Sequence, residues 1–390
     1  MKLQNLEKPS AAVSDTVDVI ADSSYSNVSE AYNHAFRAWR NKEDNPYAFR
    51  CKKQKKEAVY IEGKGFHEPD PAAEERRSLI QITMVIGMAI FAYLLIENLL
   101  TAILMGIAQI AGMDVGYCYS DGTVYGNQTA VLVILMCKTV LKYLVPVLIF
   151  RCCFRMPRRV AYHWKLDSPR EFPAAIAVTL IVFAVANVWL LFSPVNFLSS
   201  STLGEAYYTV SYMRRSYQIV YLVFEVLAIS ICKELLLHGD MLHVLRQFGD
   251  WDAVILTAVV AVCLSHSCTT ILMELTFSLV SGVAVLRSGS VVPAIFCRLL
   301  YHVMLFGLFA MEIWQSSFWQ AYCLLFLFLV LIAGILLCLL SIRPTRKNPA
   351  LLTQKHYLTL RERLYTVMHV GPLSIVLILC VILMVIEVIF

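Results

Sequence analysis

The sequence predicts an all-α protein, a polytopic transmembrane helical bundle of about eight or nine spans. Three observations predict it: 58% of the 390 residues are hydrophobic and only 16% are charged, the mean hydropathy is +0.65, and long apolar stretches recur along the chain. Soluble domains contain roughly 45–50% apolar and about 25% charged residues. A soluble fold could not bury this much apolar surface, so a membrane protein is expected.

Nine apolar stretches are candidate spans, because a bilayer core about 30 Å thick needs a helix of roughly 20 apolar residues. They lie at residues 79–111, 130–150, 173–195, 218–237, 253–266, 270–286, 291–311, 318–342 and 370–390. A long and mostly polar segment precedes the first of them. That stretch is therefore not expected to be a cleaved signal peptide.

Composition divides the chain into four parts. Residues 1–77 are polar and show no sustained apolar period, so we expect a loosely folded cytosolic tail. Residues 78–172 carry the first two spans and a basic cytosolic loop, residues 173–342 form the membrane core, and residues 343–390 hold a basic cytosolic linker and the last span. Four aromatic residues nevertheless indicate short helices in the tail: Tyr32, Phe36, Trp39 and Phe49.

Basic residues are concentrated on one side of the predicted membrane. Residues 112–129, between the first two spans, contain no Lys or Arg, whereas residues 151–170, after the second span, contain six. By the positive-inside rule, the N-terminus is cytosolic and the spans alternate in direction. The net charge of +5 then indicates contact with inner-leaflet lipids and not with nucleic acid. We expect the protein to lie in the bacterial plasma membrane, with membrane lipids among its partners.

Charged and imidazole side chains inside the predicted spans are candidates for function, because such groups are costly in a bilayer. Five of them are expected to form structural ion pairs or to line a cavity: Glu97, Lys138, Lys142, Glu225 and Glu274. Six others fall in one region of the chain: Lys233, Glu234, His238, His266, Arg298 and His302. At a rise of about 1.5 Å per residue, Glu234, His266 and His302 reach one layer of the membrane. We therefore expect their spans to pack side by side, with Glu234 and His266 within a water-bridged distance of roughly 6 Å.

A carboxylate and several imidazoles in a low-dielectric cavity suit the hydrolysis of a peptide within a membrane. The carboxylate would take a proton from water, while imidazoles would hold a metal ion or stabilise the oxyanion. The alternative is a group of satisfied polar residues that hold the helices together. The residues alone leave both interpretations open.

Three short motifs lie in this region. In chain order they read KELLLHG from Lys233, VCLSH from Val262 and SGSVVPAIFCRLLYH from Ser288. Their spacing, and the Gly-Ser turn followed by Pro-Ala in the third, resemble the three motifs of the CPBP family of intramembrane proteases, the CAAX-processing and bacteriocin-processing group. The resemblance covers roughly residues 217–309 and implies a helical membrane protease fold.

The chain departs from the family pattern at several positions. Two family residues are kept, Glu234 and His266, and the resemblance implies that both are catalytic. Lys233 stands where the resemblance implies the general-base glutamate, and a cation cannot replace a carboxylate base. Three further family positions are also substituted: His238, Arg298 and His302.

Two hypotheses about function follow. In the first, the site is inactive, no cofactor is expected, and the protein is a non-catalytic membrane binding or scaffolding protein for hydrophobic or lipidated peptides or for membrane proteins. In the second, Glu234 is the base of an active intramembrane metalloprotease. Its zinc ion would be held by three imidazoles in an open catalytic arrangement: His238, His266 and His302.

The motif also predicts which side chains face the cavity. Adjacent helical positions point about 100° apart, so Lys233 and Glu234 cannot both face it. We expect Lys233 in the cavity and Glu234 at its wall, within reach of His238. With Arg298 also lining it, the cavity would be electropositive and suited to an anionic group. A buried ammonium needs a counter-charge, for which three carboxylates are candidates: Glu225, Glu234 and Glu274.

Overall fold

The structure, a computed structural model, describes residues 29–42, 45–49, 59–61, 65–67, 71–118, 124–166, 168–169, 171–191, 202–265, 270–313, 318–341 and 357–389. These residues are almost entirely helical, which confirms the predicted all-α class. The strands among them form two short antiparallel hairpins. One pairs β1 (Val59–Ile61) with β2 (Gly65–His67), and the other pairs β3 (Val115–Tyr117) with β4 (Val124–Gly126).

The α-helices follow in chain order. They are α1 (Glu30–Arg40), α2 (Pro71–Ile110), α3 (Gln128–Phe154), α4 (Arg158–Ala161), α5 (Glu171–Leu191), α6 (Thr202–Val210), α7 (Arg215–Ala228), α8 (Leu242–Leu245), α9 (Asp250–Ser265), α10 (Ile271–Ser288), α11 (Val292–Ile313), α12 (Trp319–Ser341), α13 (Leu360–Met368) and α14 (Gly371–Ile389). Among the described residues, six are long and apolar enough to cross a membrane: α2, α3, α5, α10, α11 and α12. The pair α13 and α14, bent by 80°, would provide a seventh span. The chain is therefore an integral membrane protein.

Two of the nine predicted spans are helical, but neither forms a long, uninterrupted α-helix. The stretch 253–266 falls on α9, which has 16 residues and is followed by residues outside the described part of the chain. The stretch 218–237 lies in residues 215–248, which we call the motif helix. By length and composition, the described residues thus provide six or seven spans where the sequence predicted eight or nine.

The motif helix contains two π-helical segments, Ile229–Lys233 and Leu235–Met241, between α7 and α8, and it ends in a 3₁₀ turn, Arg246–Phe248. Insertions of π-helix into an α-helix are frequent at functional sites. Lys233 closes the first π segment, and Glu234 lies between the two. Gly239, in the second, allows a close approach, because a Cβ there would lie 2.9 Å from the ring of Tyr162.

The part of the N-terminal tail that the structure describes is docked on the bundle. One face of α1 is formed by Tyr32, Phe36 and Trp39, which are all buried. The Trp39 indole Nε1–H donates to the carbonyl oxygen of Phe154 at the end of α3, at 2.7 Å. The sequence predicts a loosely folded tail with short helices, and in residues 29–42 and 45–49 the structure describes one such helix packed on the bundle through this aromatic face.

The same segment is tied to the end of the motif helix. The Tyr32 hydroxyl lies 2.8 Å from Nδ1 of His243. Burial raises the pKa of the Tyr32 hydroxyl, so the hydroxyl stays protonated in this contact. Further along, the backbone N–H of Phe49 donates to Oε1 of Gln247 at 2.7 Å, and Phe49 stacks on Phe248.

The C-terminal helices close the bundle around the start of α2. The Glu75 carboxylate accepts the backbone N–H groups of Tyr357 and Leu358, at 2.9 and 3.1 Å. Arg363 on α13 donates to Asp252 on α9 at 2.9 Å. These contacts fix α13 beside the first turns of α2, and α14, the predicted ninth span, packs along α2.

Candidate functional site

Glu234 is at the centre of the candidate site. Its side chain is fully buried. Oε2 lies 2.5 Å from Nδ1 of His238, one turn further along the motif helix, and Oε1 accepts the Nε–H of Arg298 from α11 at 2.7 Å. Both carboxylate oxygens are therefore engaged by cationic or imidazole partners.

Glu274 on α10 is the second carboxylate of the site. It accepts the Nη1–H of Arg298 on both oxygens, at 2.7 and 2.9 Å, and it pairs with Nζ of Lys233 at 3.1 Å. The Arg298 guanidinium also lies over the ring of Phe277, 4.2 Å from its centroid, a cation–π contact. The chain of contacts thus runs from Lys233 through Glu274 and Arg298 to Glu234, and it joins the motif helix, α10 and α11. We call these four residues with His238 the ion-pair network.

His238 ends the ion-pair network against α10. Its Nε2 lies 3.1 Å from the carbonyl oxygen of Ser278. The Ser278 hydroxyl oxygen also lies 3.4 Å from Nε2, and Nδ1 is the nitrogen that contacts Oε2 of Glu234. With both ring nitrogens bound to protein groups, His238 does not fit the role of a metal ligand, which needs a free lone pair.

His302 lies one turn beyond Arg298 on α11 and differs from His238. Its side chain is buried, and its Nε2 has no hydrogen-bond partner among the described residues. Such a nitrogen is available to water or to a ligand. The third imidazole of the predicted zinc set, His266, lies outside the described residues, so that set and the expected proximity of Glu234 and His266 stay predictions. Within the described residues, no group of three His, Cys, Asp or Glu side chains is arranged to hold a metal ion.

A cavity of about 100 Å³ adjoins the ion-pair network. Lys233, Glu274 and His302 line it, as does Ser265, the last residue of α9. Glu234 is not among the lining residues. The prediction that Lys233 faces the cavity while Glu234 faces the wall near His238 is therefore confirmed, and Glu274 supplies the counter-charge to Lys233.

The opposite wall of the cavity carries a second group of ion pairs. Glu97 on α2 pairs with Lys138 at 2.8 Å and with Lys142 at 3.1 Å, both on α3. Lys142 also lies 3.5 Å from Glu225 on the motif helix, and Glu225 accepts the Thr139 hydroxyl at 2.5 Å. We call Glu97, Lys138, Lys142 and Glu225 the second ion cluster. The expectation that these residues and Glu274 form ion pairs or line a cavity is confirmed on both counts.

The sequence predicted an electropositive cavity, but the charges that line the cavity are balanced. Three lysines and three glutamates line it: Lys138, Lys142, Lys233, Glu97, Glu225 and Glu274. Arg298 does not reach the lining, because its guanidinium is buried between Glu234 and Glu274. The prediction failed because Arg298 does not line the cavity, and because Glu97 and Glu225 line it in addition to Glu274, which was one of the predicted counter-charges to Lys233. Among the residues that the structure describes, the cavity therefore offers no unpaired positive charge to an anionic group.

Two α10 residues organise the site to an extent that the sequence did not predict. Glu274 was predicted as an ion-pair or cavity residue and as one candidate counter-charge to Lys233, yet it binds both Lys233 and Arg298. Ser278, whose carbonyl oxygen contacts His238, was not considered. A signal was present, because Glu274, Ser278 and Gly282 recur every four residues and mark one buried small and polar face of α10.

The fold and the site together define a class: a polytopic helical membrane protein with an ion-paired polar site buried among its spans. Within that class, the family described as Type II CAAX prenyl endopeptidase Rce1-like matches residues 215–304. This stretch contains the whole ion-pair network. The match confirms, for this stretch of the chain, the resemblance to the CPBP intramembrane proteases seen in the motifs. No curated protein and no solved structure matches the chain.

Proposed function

We propose that this CPBP homologue is a non-catalytic membrane scaffolding or binding protein, a pseudoenzyme. The observation that carries the proposal is the closure of the ion-pair network around Glu234. A general base must present a free lone pair to water within hydrogen-bond reach of the reaction. Glu234 is fully buried, holds Arg298 and His238 on its two oxygens, and is absent from the cavity lining.

Lys233 strengthens this proposal. It occupies the position at which the resemblance implies the catalytic glutamate, and its ammonium projects into the cavity against Glu274. An ammonium has three donors and no acceptor, so it cannot take a proton from water. The one side chain of the pair that faces the cavity is thus the one unable to act as a base.

The ion-pair network has a structural role in this proposal. It connects three membrane-embedded elements through charges that lie away from solvent. Removing one partner of a buried ion pair typically costs about 3–5 kcal/mol, because it leaves the other charge uncompensated. The residues of a catalytic centre would then serve to fix the positions of the motif helix, α10 and α11.

The size of the cavity bears on what the protein binds. Ligand pockets usually measure about 300–1,000 Å³ and are mostly apolar. The cavity here measures about 100 Å³ and is lined by paired charges, which suits several water molecules better than a lipidated peptide. We therefore assign the binding of hydrophobic or lipidated peptides and of membrane proteins to the lipid-facing surface of the bundle.

Orientation and location form part of the proposal. The N-terminal helix α1 contacts Phe154, so it lies at the end of α3 that is followed by the arginine-rich segment 151–170. This supports placing both on the cytosolic side by the positive-inside rule. The bacterial plasma membrane stays a prediction from the sequence.

The runner-up is an active metalloprotease with a rearranged site. It is favoured by one observation, the buried Nε2 of His302 that lacks a partner among the described residues. His238 argues against it, since both of its nitrogens are already bound.

Metal analysis of the purified protein separates the two functions. The full-length protein, extracted in mild detergent and exposed to zinc before desalting, is expected to retain much less than one zinc per chain. The variant His302→Ala should retain the same amount. One zinc per chain in the wild type, lost in His302→Ala, would contradict the proposal and establish the metalloprotease.

A further inference from the structure

A groove of about 740 Å³ lies at the end of the bundle where α2 begins, between α2 and the bend that joins α13 to α14. It is separate from the cavity at the ion-pair network and shares none of its lining residues. Side chains of α2 form one wall, and side chains of α13 form the other. Neither wall takes part in the site described above.

The α2 wall changes from basic to apolar along one stripe. Arg76, Ile80 and Met84 are spaced four residues apart, so they lie one above another on the same face of α2. The predicted span begins at residue 79, which places Arg76 at the membrane boundary and Met84 inside the apolar region. Such a stripe matches a molecule that has a charged group at the surface and a hydrocarbon chain below it.

The α13 wall of the groove likewise begins with an arginine. Arg361, Tyr365 and His369 face the groove, again four residues apart, and the Tyr365 and His369 rings stack with centroids 3.8 Å apart. On another side of α13, Leu360, Leu364 and Met368 are exposed. A short helix that turns by 80° before a span and exposes a leucine face is typical of a helix lying in the membrane interface.

The two arginines are available to a ligand. Arg76 and Arg361 are both exposed, and neither has a salt bridge within 4.0 Å among the described residues; Glu362, whose pKa is lowered by its hydrogen bonds from Thr359, is also close enough to be influenced by the charge of Arg76. The one carboxylate of the groove, Glu362, is occupied at the start of α13, where it accepts the backbone N–H and the hydroxyl of Thr359, both at 2.8 Å. The neighbouring Arg363 instead points into the protein and pairs with Asp252. The groove thus carries a net positive charge at its rim.

We propose that this groove binds a glycerophospholipid with an anionic headgroup. Its phosphate would lie between Arg76 and Arg361, and an acyl chain would run along Ile80 and Met84. The volume of the groove falls within the range of small-molecule sites and accommodates a headgroup with the upper part of a chain. Charge complementarity favours phosphatidylglycerol over a zwitterionic lipid, because a basic residue near an anionic surface strengthens binding substantially.

The test uses the full-length protein in mild detergent, to which dioleoylphosphatidylglycerol or dioleoylphosphatidylcholine is added. Lipid retained per chain is counted by native mass spectrometry. The wild type is expected to retain phosphatidylglycerol preferentially, and Arg76→Gln/Arg361→Gln should weaken that retention about tenfold or more. The matched control Arg77→Gln/Arg158→Gln removes two exposed arginines that do not line the groove and should behave as the wild type.

Three outcomes would overturn the proposal. The groove variant could retain phosphatidylglycerol as well as the wild type does, or phosphatidylcholine could be retained equally. Alternatively, glycerol 3-phosphate at the same concentration could displace the lipid and raise the melting temperature of the protein as much as phosphatidylglycerol does. That result would mean that the groove binds a soluble phosphate compound and not a lipid. A melting curve of the groove variant without added lipid shows whether it folds, so a loss of retention can be assigned to the groove.

Discussion

Arg298 on α11 donates its Nε–H to Oε1 of Glu234 on the motif helix at 2.7 Å, across 64 positions of sequence. In the family pattern a histidine stands at the position of Arg298. The guanidinium reaches further than an imidazole would, and its Nη1 binds Glu274 at the same time. The arginine at position 298 thus connects both carboxylates of the site, Glu234 and Glu274.

The variant Glu274→Gln is expected to destabilise the protein by about 3–5 kcal/mol, because it leaves Lys233 without its carboxylate and Arg298 with only one. Unfolding in mixed micelles with increasing denaturing detergent measures the loss. Glu312→Gln is the matched control, since Glu312 lies on α11 and forms no ion pair among the described residues. Equal stability of the two variants would show that the ion-pair network does not hold the helices together.

The second ion cluster predicts different effects for two neighbouring lysines. Lys142 pairs with both Glu97 and Glu225, whereas Lys138 pairs with Glu97 alone and is more exposed. Lys142→Met should therefore cost about 3–5 kcal/mol. Lys138→Met should cost about 1 kcal/mol or less, as expected of a partly exposed pair. Thermal unfolding in one detergent compares them, and the reverse order of stability would refute the assigned pairing.

Docking of the N-terminal segment predicts a measurable role for one hydroxyl. Tyr32→Phe removes the hydrogen bond to His243 and leaves a buried imidazole nitrogen without its partner, at an expected cost of about 1–3 kcal/mol. Trypsin should then cut after Arg37 or Arg40 several times faster than in the wild type. Tyr322→Phe, which changes an exposed tyrosine of α12, is the control. Unchanged cleavage in Tyr32→Phe would mean that this contact does not retain α1.

Orientation is tested by labelling a cysteine placed in the segment between α2 and α3. In a variant whose native cysteines are replaced, and in intact cells or right-side-out vesicles, Gly122→Cys is expected to react with a membrane-impermeant maleimide added outside, because this segment lacks basic residues. Arg158→Cys in the basic segment should react only after permeabilisation. Labelling of Gly122→Cys from the cytosolic side alone would reverse the topology.

The helical class, the family and the position of Lys233 could be predicted from the sequence, because each depends on local periodicity or on motif spacing. The 100° step between neighbours was sufficient to direct Lys233 to the cavity and Glu234 to the wall, even though the motif helix contains π-helical segments. Local rules of this kind hold wherever a residue's direction is set by its own helix.

The sequence predicted that charged residues of the spans form ion pairs, but it could not predict which partners meet. The neutralisation of Lys138 and Lys142 by Glu97 requires α2 and α3 to be adjacent in a particular rotation, and the burial of Arg298 requires a carboxylate from α10. The docking of α1 likewise depends on Phe154 and His243 meeting at one end of the bundle. In each case the determining partner comes from a different element, so no local pattern records it.

The central claim, that the ion-pair network replaces a catalytic base, is tested most directly by an assay for cleavage. The wild-type protein in lipid nanodiscs is incubated with a prenylated CAAX peptide and with a transmembrane peptide, alongside an active CAAX endopeptidase that validates the substrates. We expect no product above the background of empty nanodiscs. Cleavage by the wild type that Glu234→Gln abolishes, in a variant that remains folded, would contradict the account.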